Sequence, residues 1–222
     1  MGCSSSKSIE EGKDNDQVLS ELGKVLLLKY ETDSDNENVL LIGNDTEGST
    51  NDYISFLDGE KNYFELYYNG NIIKGPYYRF DKKGTHSIKL KLNKLIHDFS
   101  FMFYNCVKLK GIEGYINTSE ANKFSWMFGN CSSLVDISGL RSFDVSNGEY
   151  FKYMFNGCTS LKDISPIQNW NVMKGIDFSG MFKNCKSLKN FKPIKSWDIN
   201  KDGVMLEQMF DGCGFDDADD IK

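Results

Sequence analysis

One motif, M-F-x-x-C, recurs five times in register and constrains this chain more than any other feature. Its cysteines stand at 106, 131, 158, 185 and 213, at intervals of 25, 27, 27 and 28 residues. Met-Phe precedes each: Met102-Phe103, Met127-Phe128, Met154-Phe155, Met181-Phe182 and Met209-Phe210. Three residues before each Met stands Phe99, Phe124, Phe151, Phe178 or Leu206. Each unit thus reads Φ-x-x-M-F-x-x-C, with apolar side chains at i, i+3, i+4 and i+7, the spacing of one helix face. After the first four cysteines the sequence continues in step. Leu109, Leu134, Leu161 and Leu188 lie three residues on, and Ile112, Ile137, Ile164 and Phe191 lie six on. Phe143, Trp170 and Trp197 lie twelve on. A short helix followed by a short strand in each unit predicts a solenoid. One unit cannot cover its own apolar face, but a stack can.

The segment before the repeats reads differently. Lys24 to Tyr30, Asn38 to Ile42, Tyr53 to Leu57, Tyr63 to Tyr68, Tyr77 to Phe80 and Ser87 to Leu92 are short β-type runs. Asp58-Gly59 and Asn69-Gly70 are hairpin-turn signals. The run Ser87-Ile88-Lys89-Leu90-Lys91-Leu92 alternates polar and apolar, as a half-buried strand does. The expected class is α+β: a small antiparallel β-domain over 21–97, then a five-unit solenoid over 98–215. A flexible tether over 1–20 precedes them, and an acidic tail over 216–222 closes the chain.

The repeats resemble the BspA-like leucine-rich repeat family, on the five M-F-x-x-C copies and the L-x-x-I segments that follow four of them. The stretch from Phe80 to Ile88, with Gly84 and His86, is similar to the F-x-x-x-G-x-H strand that often precedes such repeats. The resemblance implies a binding scaffold without enzymatic activity. The first unit is two residues short and has Thr118 at the twelfth position. The last has Asp216 in place of Leu and then Asp217, Asp219 and Asp220, the pattern of a polar cap.

Charge is unevenly spread. From Cys106 to Lys201 there are 13 Lys+Arg and 8 Asp+Glu, a balance of +5, so the rest of the chain carries -6 - 5 = -11. The net charge of -6 for the whole chain disfavours nucleic acid as the main partner. No run of 18 apolar residues reads as a transmembrane helix. The start, Met1-Gly2-Cys3-Ser4-Ser5-Ser6-Lys7, fits the N-myristoylation pattern, with Gly2 as acceptor and Cys3 as the site of a second acyl chain. Lys7 and Lys13 are outweighed by Glu10, Glu11, Asp14 and Asp16, so a polybasic second signal is missing and Cys3 would have to supply it.

Other chemistry is thinly represented. The repeat cysteines lie at least 25 residues apart, which does not suit zinc pairs, and they read as small buried packing residues. His86 and His97 have no neighbouring nucleophile pattern. The Asp35, Asn36 and Asn38 cluster reads as a hairpin turn. No cofactor is implied.

These readings converge on a non-enzymatic protein-interaction module, acylated at Gly2 and Cys3 and held on the cytoplasmic face of a membrane. The alternatives are a soluble assembly protein and a surface adhesin. The binding residues are expected on the strand face: Lys110, Glu113, Val135, Asp136, Ser138, Lys162, Asp163, Ser165, Lys189, Asn190 and Lys192. Lysine gathers in the last row, which predicts an acidic protein partner there.

Overall fold

The computed structural model describes residues 24–43 and 63–214. The tether with Gly2 and Cys3, the expected strand from Tyr53 to Leu57 and the acidic tail at 216–222 lie outside the described residues.

Seven strands form in the described segments: β1 (Lys24–Thr32), β2 (Glu37–Leu40), β3 (Phe64–Tyr68), β4 (Asn71–Ile73), β5 (Tyr77–Phe80), β6 (Gly84–Leu92) and β7 (Leu109–Ile116). Five make one sheet in the order β4-β3-β6-β1-β7, and β2 pairs with β5 in a second. All pairings between named strands are antiparallel. The alternation read in β6 holds: His86, Ile88, Leu90 and Leu92 are buried, while Thr85, Ser87 and Lys89 are exposed. Asn69 and Gly70, at φ 49° and 80°, close the β3–β4 hairpin, because Tyr68 pairs with Asn71 across a two-residue loop. Positive φ at both positions suits the right-handed twist of the strands, and Asn and Gly tolerate it. Tyr30, fully buried on β1, donates its hydroxyl to the Leu41 carbonyl at 2.7 Å.

The repeats correct the expected class. Among the described residues there is no α-helix, and the helical pieces are three 3-10 stretches: Ser138–Ser142, Ser165–Ile167 and Lys192–Ile194. The described residues are mostly β, with two antiparallel sheets, and they do not form the helix-plus-strand solenoid of an α+β fold. Two features of each M-F-x-x-C unit explain why. First, the residue before each Met takes a left-handed conformation: Phe101 (φ 65°), Trp126 (58°), Tyr153 (55°), Gly180 (60°) and Gln208 (58°). So does the residue before each Cys: Asn105 (61°), Asn130 (60°), Gly157 (74°), Asn184 (61°) and Gly212 (71°). A right-handed helix cannot pass through such residues. Instead each unit folds as two successive tight turns. Met102 N–H donates to Phe99 O at 3.2 Å, and Cys106 N–H donates to Phe103 O at 3.1 Å.

Second, alternate amides of each unit point at the next unit. Phe99, Phe101, Phe103 and Asn105 donate to Lys123, Ser125, Met127 and Gly129 at 2.8, 3.0, 2.8 and 2.9 Å. Phe124, Trp126, Phe128 and Asn130 repeat this toward the third unit, and the pattern continues into the fifth. Bonds that a helix would close within itself therefore run between units. Isolated parallel bridges, Asp98↔Lys123, Lys123↔Tyr150, Tyr150↔Asp177 and Asp177↔Met205, mark the same alignment.

Among the described residues the strand expected after each cysteine forms only in the first unit, where β7 joins β1 in the five-stranded sheet. In the later units Asp136, Asp163 and Asn190 accept the N–H two residues on, from Ser138, Ser165 and Lys192, at 2.9, 2.8 and 2.9 Å. That side-chain turn feeds a 3-10 stretch, and Pro166 or Pro193 inside the last two lacks a ladder donor.

Candidate functional site

The interior of the units is committed to packing. Phe99, Phe124, Phe151 and Phe178 stack at centroid spacings of 5.8, 5.4 and 5.1 Å. Phe103, Phe128, Phe155, Phe182 and Phe210 stack at 5.4, 5.4, 5.5 and 5.6 Å. Trp170 and Trp197 lie parallel at 6.2 Å and are almost wholly buried, so they pack rather than present a ligand platform. Trp170 donates its indole N–H to Leu140 O at 2.9 Å, whereas the buried Trp197 Nε1 has no acceptor among the described residues.

The cysteines do more than fill space. Cys131, Cys158, Cys185 and Cys213 point their thiols at the carbonyls of Phe103, Phe128, Phe155 and Phe182 in the preceding unit, with Sγ···O of 3.0, 3.1, 3.2 and 3.1 Å. Each thiol is thus a donor to the previous unit. Burial pushes the Cys131, Cys158 and Cys185 thiols well up and the half-buried Cys213 up to about 11, so they stay protonated. Among the described residues no three His, Cys, Asp or Glu side chains gather as metal ligands.

The expected binding strip divides into two parts. Near the sheet its charges are paired. Lys110 bonds Glu31 at 2.9 Å, and Glu113 bonds Lys29, whose ammonium is held up by that contact. Lys108 bridges Asp33 and Glu37, depressing both carboxyls and tying the first unit to the β1–β2 turn. In that turn Asp35 accepts the Lys83 N–H at 2.9 Å, and Asn36 sits at φ 58°, as a hairpin turn requires. Asp136, Asp163 and Asn190 are spent on their own turns. Asp163 also accepts the Ser165 hydroxyl at 2.9 Å.

Away from the sheet the strip opens. Lys162, Lys186, Lys189 and Lys192 are exposed. The first three, with Ser187 and Asn190, line a shallow groove of about 450 Å³ between the third and fourth units. Lys186 was not among the expected residues. It follows Cys185 directly, where Val107, Ser132 and Thr159 stand in earlier units, so only the repeat alignment would reveal it.

A second surface also escaped the sequence reading. Phe101, Trp126 and Tyr153, the left-handed residues before each Met, form a half-buried outer column. Phe101 stacks on Trp126 at 6.4 Å, and Trp126 meets Tyr153 at 4.5 Å. The column ends at Gly180, where a Cβ would lie 2.1 Å from the Tyr153 ring. The signal was the aromatic preceding three of the five M-F pairs.

Residues 95–219 match the model of a family described as Mycoplasma protein of unknown function, DUF285. No curated protein and no solved structure matches the chain.

Proposed function

This chain belongs to the DUF285 family, and from that premise we propose that it is a protein-interaction module whose distal lysine groove docks an acidic polypeptide segment. One observation carries the reading. Lys162 and Lys186 have no ion-pair partner among the described residues, while Lys29, Lys108 and Lys110 at the other end are all engaged with carboxylates. Cations that hold the fold together are paired, and these are left to solvent beside Lys189 and Lys192. A groove of this size gives a weak contact in which charge chiefly raises the association rate.

The likeness to BspA-like repeats belongs to the same proposal and rests on the M-F-x-x-C register. So does acylation at Gly2 and Cys3, which would hold the module at a membrane and raise its local concentration. Loss of membrane association in a Gly2→Ala variant tests that part. The groove is tested with a fluorescein-labelled glutamate-rich peptide, titrated at 50 mM and 300 mM salt against the native chain and a Lys162→Glu/Lys189→Glu variant. The native chain is expected to bind in a salt-dependent manner and the variant at least about tenfold more weakly. Equal binding by both chains would place the interface elsewhere.

A further inference from the structure

The last described residues deliver the chain to the lysine groove. Val107, Ser132, Thr159 and Lys186, each directly after its cysteine, donate their N–H groups within their own unit, to Asn105, Asn130, Gly157 and Asn184 O at 2.7, 2.8, 2.8 and 2.9 Å. Gly214 holds the same position after Cys213 and departs from the pattern. Its N–H crosses to the fourth unit and donates to Leu188 O at 3.0 Å. A Cβ on Gly214 would lie 2.3 Å from Lys186 O and 3.5 Å from Leu188 O, so only glycine lets the backbone come this close. The segment it touches is a wall of the groove. Lys186 and Ser187 line it, with Lys189 next along the chain and Lys162 from the third unit.

The sequence after Gly214, outside the described residues, reads Phe215-Asp216-Asp217-Ala218-Asp219-Asp220. Four carboxylates therefore follow within six residues of a glycine seated against Lys186. At ~3.3–3.6 Å per residue, Asp216 and Asp217 lie within about 7–11 Å of Gly214 and Asp220 within about 20 Å. Lys162 stands one unit further on, and units are spaced as their rings are, 5.5 Å from Phe155 to Phe182. All the groove lysines are thus within reach. Lys162 and Lys186 have no carboxylate partner among the described residues. A short tether presents its charges at an effective concentration of about 1 mM, which favours the chain's own segment over that of a second copy in dilute solution.

We propose that the acidic segment from Asp216 to Asp220 is the groove's own exchangeable occupant, which an outside acidic partner must displace. The proposal rests on the groove reading above and adds a regulation to it. While the segment holds the lysines, only the remaining fraction of chains is competent for the partner, and the partner's apparent affinity falls by that fraction. The contact is between exposed charges, so salt weakens the self-contact together with the partner's. Gly214 is the positioning residue: it sets the exit of the segment against the wall that carries Lys186.

The experiment compares the whole chain with two full-length variants. One carries Asp216→Asn, Asp217→Asn, Asp219→Asn and Asp220→Asn together, which leaves every described residue unchanged. The other, Gly214→Ala, keeps every charge and sets a methyl group against Lys186 O. The fluorescein-labelled glutamate-rich peptide is titrated against all three at low salt. Each chain is also treated in dilute solution with a carbodiimide, which joins carboxylates to neighbouring amines, and the monomer band is mapped by mass spectrometry. The four-Asn variant is expected to bind the peptide at least about threefold more tightly than the native chain. The native monomer is expected to show links from the acidic segment to Lys162, Lys186 or Lys189, reduced in Gly214→Ala. Equal, measurable peptide affinity of the native and four-Asn chains overturns the proposal and leaves the groove reading standing. Links confined to other lysines, such as Lys195 or Lys201, overturn it, as do groove links found only in a dimer band, which would mean the segment of a second copy. Groove links in the monomer without peptide binding to any of the chains would uphold the self-contact and sink the outside partner.

Discussion

Substitution of Cys158 separates two accounts of the repeated cysteine. The side chain is fully buried, and its Sγ lies 3.1 Å from Phe128 O, which also accepts the Cys131 N–H at 3.1 Å. Cys158→Ala removes one sulfur. Losing a methylene-sized apolar group costs about 0.8 kcal/mol. A sulfur-sized void of roughly 25 Å³ adds about 0.6 kcal/mol at about 24 cal/mol per Å³. The Phe128 carbonyl keeps its backbone partner, so no orphan penalty is added, and the total is about 1.4 kcal/mol. Cys158→Ser keeps a donor in place. Its hydroxyl stays bonded to Phe128 O, so serine should cost no more than alanine. If the thiol were only apolar filling, the serine hydroxyl would be buried unpaired, at about 1–3 kcal/mol more than alanine. Urea unfolding of the three chains under reducing conditions, with m unchanged, reads the difference. Serine more costly than alanine by 1 kcal/mol or more would refute the donor role.

Two further outcomes follow from the same core. Burial raises the thiol pKa values of Cys106, Cys131, Cys158, Cys185 and Cys213 above the unfolded value near 9, so above that pH the folded chain holds more protons than the unfolded one. Stability should be level through neutral pH and fall as pH rises from about 9, with the Cys213 share lost between 9 and about 11; denaturant midpoints measured from pH 7 to 10.5 check this, and an unchanged midpoint would contradict it. Trp170→Phe loses the bond to Leu140 O, whereas Trp197→Phe removes a buried N–H that has no acceptor among the described residues. The first should cost about 1 kcal/mol more than the second, as read by thermal or urea unfolding, and the reverse order would contradict the assigned hydrogen bonding.

The sequence made the repeat register legible because packing enforces it. Every Phe, Met and Cys of the motif in the first four units is buried in the column its spacing assigned. The sheet strands were also legible where a turn signal or clean alternation marked them, as in β3 ending at Asn69-Gly70 and in β6, whereas β4 (Asn71–Ile73), three residues long, was not among the expected runs. The helix was the wrong inference from the right spacing. Apolar residues at i, i+3, i+4 and i+7 fit a helix face and fit two consecutive tight turns equally well. The discriminating signal was polar and easily overlooked: Asn or Gly stands before all five repeat cysteines, and those are the residues that tolerate a left-handed backbone. The strand expected in each unit failed for a similar reason. Asp or Asn two residues before Ser138, Ser165 and Lys192 diverts the backbone into its own turn before a ladder can extend.

The lysine strip could be named from sequence only as a row, because pairing is a property of tertiary contact. At the sheet-proximal end Lys108 and Lys110 meet carboxylates on β1, β2 and the turn between them, so their charges fix how the first unit sits on the sheet. Removing such a pair disturbs the join and says nothing of a partner. At the distal end Lys162 and Lys186 meet no carboxylate among the described residues, and the neighbouring exposed Asp163 is bonded to Ser165. The molecule is therefore polar along its repeat axis: charge is structural where the units meet the sheet and open to solvent where they leave it.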